Sequence, residues 1–177
     1  MIFSADGSQW GEDQPSMITS IRGMVGLEIK VSGAKDDLHS DMHGGGIANS
    51  IHALAHIISS IRDLNGHVTV AGFYEDVEEL SSQDRSNIAK ILFKEDSYIK
   101  ELGVLDVFRE AGFNTLEKLW RRPSLELYGI WRGYQSEWTK TVLPAKPHAK
   151  ITYRLVSNQD LKKTDSLLKK HIQENTP

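Results

Sequence analysis

The chain has 177 residues, 39% of them hydrophobic and 25% charged, with 21 basic against 24 acidic side chains and a net charge of −3. That length buries a core without staples, and the charge balance lacks the basic footprint of a nucleic-acid binder. There is no cysteine, which excludes disulfides, thiolate metal sites and cysteine nucleophiles, and no apolar run approaches the ~20 residues that span a bilayer.

The opening stretch from Met1 reaches an acid at Asp6, too early for a signal peptide, so a cytoplasmic location is expected. Residues 7–16 are polar and punctuated by Gly and Pro, as a loop is. A strand is predicted from Ile18 to Val31, because Leu27 to Val31 alternates apolar and polar. Residues 34–46 are too polar and glycine-rich for an element. Asn49 then suits the N-cap of a helix from about Ser50 to Asp63. Its apolar stripe is read as Ile47, Ile51, Leu54, Ile58 and Ile61. Asn65-Gly66 makes a turn before a short β-type run, His67 to Val70.

Residues 73–112 are densely charged, with helical patterning around Asn87–Phe93 and Val104–Ala111. A helix near Thr115–Arg121 stops before Pro123. Leu125 to Ile130 alternates and reads as a strand, and residues 132–148 as a long loop. Ala149 to Val156 is the clearest strand, with Ile151, Tyr153 and Leu155 on one face and Lys150, Thr152 and Arg154 on the other. Asn158 is read as the cap of a last helix carrying Leu161, Leu168 and Ile172.

The order predicts an α+β two-layer sandwich: a ferredoxin-like antiparallel sheet with helices on one face and a helical insertion at about 73–122. That plan needs one more strand after the last helix. The sequence reaches Pro177 first, so the final strand is expected to be missing.

The densest chemical cluster is Asp36-Asp37-Leu38-His39-Ser40-Asp41-Met42-His43-Gly44-Gly45-Gly46, ahead of a helix N-terminus. Such a terminus favours an anion or a developing oxyanion. A solvated loop with turn glycines is the plain alternative, and metal ligation by His39, His43 and an Asp is another. His52 and His56 share one helix face, but Ala53 stands where an H-E-x-x-H site needs Glu. They are read as flanking the core or an interface. Arg154 suits bidentate carboxylate binding, or pairs as a surface charge. Glu78, Glu79, Asp84, Glu95 and Asp96 read as the solvated face of the insertion, and Trp131 and Trp138 as packing or interface residues.

Five segments in register resemble the two-zinc metallopeptidase family of aminoacylases, carnosinase-type dipeptidases, acetylornithine deacetylase and succinyl-diaminopimelate desuccinylase. They are Ile21-Arg22-Gly23, Asp37-Leu38-His39-Ser40 with Gly44-Gly45, Gly72-Phe73-Tyr74-Glu75-Asp76-Val77, Lys140-Thr141-Val142-Leu143-Pro144, and Arg154-Leu155-Val156. The dipeptidase branch fits best. The resemblance implies a two-domain, homodimeric enzyme, of which residues 17–177 match the lid and dimerisation domain and 1–16 a tail of the zinc-binding domain or a linker. It implies that His39 stabilises the oxyanion in the partner's site, that Thr141 contacts substrate across the dimer, that Arg154 binds the substrate carboxylate, and that Asp6 ligates a zinc ion. The substrate would be a small peptide or N-acyl amino acid.

The family's H-x-D ligands, bridging Asp, Glu-Glu pair and further His have no counterpart in these residues. The chain alone is therefore expected to be inactive, a cut-out domain or a fragment, and to bind none of the two zinc ions of the intact enzyme by itself. It departs from the family pattern at Asp41, Ser136 and Trp138, where glycines are usual, which changes the expected shape of the substrate pocket. A module for self-association alone, and a free-standing hydrolase with a loop metal at His39 and His43, are the competing readings.

Overall fold

A three-stranded antiparallel sheet in the order β1-β5-β3 carries the molecule. The computed structural model describes residue 18 and residues 20–177. Strand β1 is Gly23–Lys30, β3 is Ser124–Trp131 and β5 is His148–Leu155. Central β5 shows the alternation read from its sequence. Ala149, Ile151, Tyr153 and Leu155 are buried, while Arg154 is exposed on the opposite face. Val25, Leu27 and Ile29 of β1 stand directly opposite Tyr153, Ile151 and Ala149, which puts both strands' apolar side chains on the same face. The ladder between β3 and β5 is interrupted by a bulge between Leu127 and Gly129.

Two helices cover that face. Helix α2 (Ser50–Ile61) is capped as predicted, the Asn49 side chain accepting from the Ile51 amide at 2.9 Å. Its buried apolar residues are Leu54, Ile57 and Ile61. The buried stripe is thus turned from the expected one: Ile57 belongs to it, Ile51 and Ile58 are half-buried, and Ile47 lies exposed ahead of the helix. Helix α6 (Leu161–Glu174) contributes Leu168, which is fully buried. Its cap is Asp160, accepting from the Lys163 amide at 2.7 Å, and not Asn158. Asn158 sits in the left-handed region at φ 69° and donates to Glu78 at 2.6 Å. A cap needs an extended backbone, and Asn158 spends its conformation on the turn.

The insertion forms α3 (Ser82–Ala89), α4 (Glu95–Leu102) and α5 (Thr115–Arg121). Leu80, Ile88 and Leu116 make a small core of its own. Helix α5 has the expected limits because Asn114 and Glu117 form a reciprocal capping box and Arg122 turns extended before Pro123. The expected helical stretch 104–111 does not form. Gly103 closes α4 in the left-handed conformation, and Leu105 beyond it is fully exposed with nothing to pack on. Residues 67–70 make only an isolated bridge, Val68 to Arg62, in place of a β run.

Two stretches expected to lack structure do contain it. Residues 34–46 hold β2 (Leu38–His39) and a single helical turn, α1 (Ser40–His43). Residues 132–148 hold β4 (Val142–Leu143). The two short strands pair with each other, Leu38 opposite Leu143 and His39 opposite Val142. No described helix is long and apolar enough to cross a membrane.

Candidate functional site

The β2–β4 ladder is what builds the candidate site, and it is assembled from segments far apart in sequence. Past Lys30 the chain stays paired to the segment before β5, Val31 N–H donating to the Pro147 carbonyl at 3.1 Å and Gly33 N–H to that of Ala145 at 2.8 Å. Asp37 then accepts from the Ala145 amide at 2.8 Å. The Ser50 hydroxyl donates to the Pro144 carbonyl, tying the start of α2 to the same segment. These bonds hold the 142–145 backbone against β2.

At the end of β2, His39 lies exposed with its Nε2 3.1 Å from the Thr141 hydroxyl. The Ser40 amide donates to the Thr141 carbonyl at 3.1 Å, so backbone and side chain fix the pair together. Asp41 stands 3.7 Å from the His39 Nδ1. Behind them Gly44 N–H donates to the Ser40 carbonyl at 2.7 Å, and a Cβ on Gly44 would meet that oxygen at 2.5 Å, so only glycine fits the turn. An exposed imidazole braced on a short ladder can donate to, or accept from, a group brought by another molecule.

Arg154 lies far from this pair, on the uncovered face of β5 beside Met24 and Ser124. It is exposed and has no carboxylate partner among the described residues. Burial holds the nearby Arg22 guanidinium below its usual range, and Arg154 adds repulsion. Along the same face, the His148 Nδ1–H donates to the Glu28 carboxylate at 2.8 Å, and that bond is the chief cause holding the Glu28 carboxyl below its usual range. Trp131 stacks on His148 at 5.0 Å. His52 and His56 point to solvent from α2, and Trp138 is exposed.

Of the residues singled out from sequence, the structure brings His39 and Thr141 together and leaves Arg154 apart. Asp6 lies outside the described residues. Sequence reasoning missed Asp37 as the latch on Ala145. The signal was an acid two residues before His39 in the matched motif, but nothing in the spacing reveals its backbone partner. No group of three or more His, Cys, Asp or Glu side chains that could hold a metal ion occurs among the described residues.

Comparison with known proteins agrees with this architecture. Residues 19–177 match the family model of the peptidase dimerisation domain of M20 peptidases. The Cys-Gly metallodipeptidase dug1 of Schizosaccharomyces pombe is 29% identical over 163 residues, which are 92% of this chain and 34% of that protein. The structure of the dipeptidase Dug1p from Saccharomyces cerevisiae superposes with a TM-score of 0.81 at 28% identity, covering 88% of this chain and 32% of the other. Human carnosine dipeptidase 1 does so with a TM-score of 0.82 at 26% identity, covering 88% and 33%. The chain spans about a third of the length of the relatives it matches. By the match over residues 19–177, the chain belongs to the dimerisation-domain family of the M20 metallopeptidases.

Proposed function

We propose that this chain is the lid and dimerisation domain of a zinc-dependent dipeptidase or N-acyl-amino-acid amidohydrolase, acting in the cytoplasm as a homodimer. Residues 17–177 form the lid, and 1–16 are a linker or the tail of the zinc-binding domain, with Asp6 a candidate ligand there. The strand order β1-β5-β3 supports reading the sheet as a ferredoxin-like plan. The zinc ions and the attacking water belong to a part of the enzyme outside the described residues. This domain supplies two kinds of contact: an oxyanion donor, His39, braced by Thr141, and a carboxylate anchor, Arg154.

The observation that carries this reading is the separation of those contacts. Arg154 sits at one end of β5 and the His39–Thr141 pair beyond the other. From His148 to Arg154 alone six residues of extended strand cover about 20 Å. An extended dipeptide is only about 7 Å long. One copy cannot offer both contacts to one small substrate, whereas two copies can, each lending His39 and Thr141 to the site that its partner's Arg154 anchors. The surface for that pairing is the free edge of β3, where Leu127, Tyr128 and Ile130 are exposed, together with the uncovered side of α2.

The same exposed edge also suits a second reading, a self-association module without a catalytic part. Replacing His39 by Ala in the full-length enzyme separates them. Turnover is expected to fall about 100–1000-fold, as for loss of an oxyanion donor, with metal content unchanged. Turnover near normal would refute the catalytic reading and leave the assembly role.

A further inference from the structure

A cavity of about 420 Å³ lies between the insertion and the end of the sheet where β1 and β3 begin. Its walls are largely apolar, with Leu102, Val104 and Phe108 from the insertion facing Val68, Pro123 and Leu125. Three carboxylates also line it, and each is matched by an arginine. Glu126 pairs with Arg62 at 2.8 Å, Asp106 with Arg109 at 3.0 Å, and Glu110 with Arg122. Two further lining cations have no carboxylate within 4.0 Å among the described residues. Arg22 donates to the Arg122 carbonyl at 3.2 Å, and Lys118 donates to the Phe108 carbonyl. Burial is the main cause lowering both cations from their usual range. Arg154 adds to it at Arg22, while Glu110 works against it at Lys118. A partly desolvated cation without a carboxylate within 4.0 Å is costly, and a bound anion offsets that cost.

We propose that this cavity is a binding site for a small monoanionic carboxylate with an apolar or aromatic body, its carboxylate held by Arg22 and Lys118 and its body lodged against Leu102, Val104 and Phe108. A planar guanidinium matches a carboxylate. With four lining cations (Arg22, Arg62, Lys118 and Arg122) against three lining acids, the cavity carries one net positive charge, which a single carboxylate balances. The volume lies in the range of small-molecule sites. Arg154 does not line the cavity, so the site is separate from the carboxylate anchor proposed above.

The test is calorimetric titration of the 177-residue chain with 4-phenylbutyrate and with its neutral amide, alongside Arg22→Gln, Lys118→Gln and Arg154→Gln. The carboxylate is expected to bind saturably with a Kd of about 1 mM, in line with its size. The amide, Arg22→Gln and Lys118→Gln are each expected to weaken binding about tenfold or more, while Arg154→Gln retains saturable binding. Thermal melts establish that each variant is folded, and should Arg22→Gln not fold, Lys118→Gln decides. No saturable binding, equal binding of the amide, or affinity lost in Arg154→Gln and kept in Lys118→Gln would each overturn the proposal.

Discussion

His39 and Thr141 are 102 positions apart in sequence and 3.1 Å apart in space. A ladder of only two residue pairs makes that meeting, so the orientation of the imidazole depends on Thr141 and on the backbone that carries it. Thr141→Val removes the hydroxyl while keeping the shape. In the full-length enzyme it is expected to lower kcat/KM about tenfold, less than His39→Ala, because it loosens the donor without deleting it. An effect as large as that of His39→Ala would mean that Thr141 does more than brace the ring.

The second support of the site is Asp37, which accepts from the Ala145 amide. Asp37→Ala leaves that donor without its partner and is expected to cost about 1–3 kcal/mol. The change is measurable as a lower midpoint in urea. Hydrogen exchange at Ala145 is expected to accelerate in the same variant, and unchanged protection there would show that the 142–145 segment is held by other bonds.

Along α2 the buried stripe runs through Leu54, Ile57 and Ile61, and not through Ile47. Ile57→Ala is therefore expected to destabilise the chain by about 2–5 kcal/mol, as emptied core positions do. Ile47→Ala, at a residue 46% exposed, is expected to stay within about 0.5 kcal/mol. Paired denaturant melts decide the register, and the reverse ranking would contradict it.

Tyr153 gives the fold an alkaline limit. Burial, with Asp165 adding to it, pushes its hydroxyl up to about 12 from the ordinary 10. The folded chain therefore keeps a proton that the unfolded chain releases. The resulting stability is complete below pH 10 and is lost as pH rises towards about 12. Thermal melts are expected to fall steeply across that window and to flatten in Tyr153→Phe. An equal slope in the variant would show that other groups set the limit.

What the sequence shows and what it hides follow from the length of the signals. Helix α5 is legible to the residue because Asn114, Glu117 and Pro123 are local stop and start chemistry. Strand β5 is legible because eight residues alternate with one face buried. The candidate residues His39, Thr141 and Arg154 are legible only through their motifs. Their geometry is not, since β2 and β4 are two residues each, too short for any periodicity, and exist only because each has the other. The helix expected at 104–111 fails for the opposite reason. The local pattern is present there, but Gly103 ends the preceding helix and no surface is offered to Leu105. At the start of α6, Asn158 and Asp160 are equally good caps by type, and only the left-handed turn at Asn158 decides between them.

The central claim is that one catalytic site draws His39 from one copy and Arg154 from the other. Mixing full-length His39→Ala and Arg154→Gln enzymes, each nearly inactive, tests it directly after subunits are exchanged. If the contacts come from different copies, each mixed dimer regains one intact site, and random exchange restores about a quarter of wild-type activity. A mixture as inactive as its parents, with mixed dimers shown to form, would contradict the account.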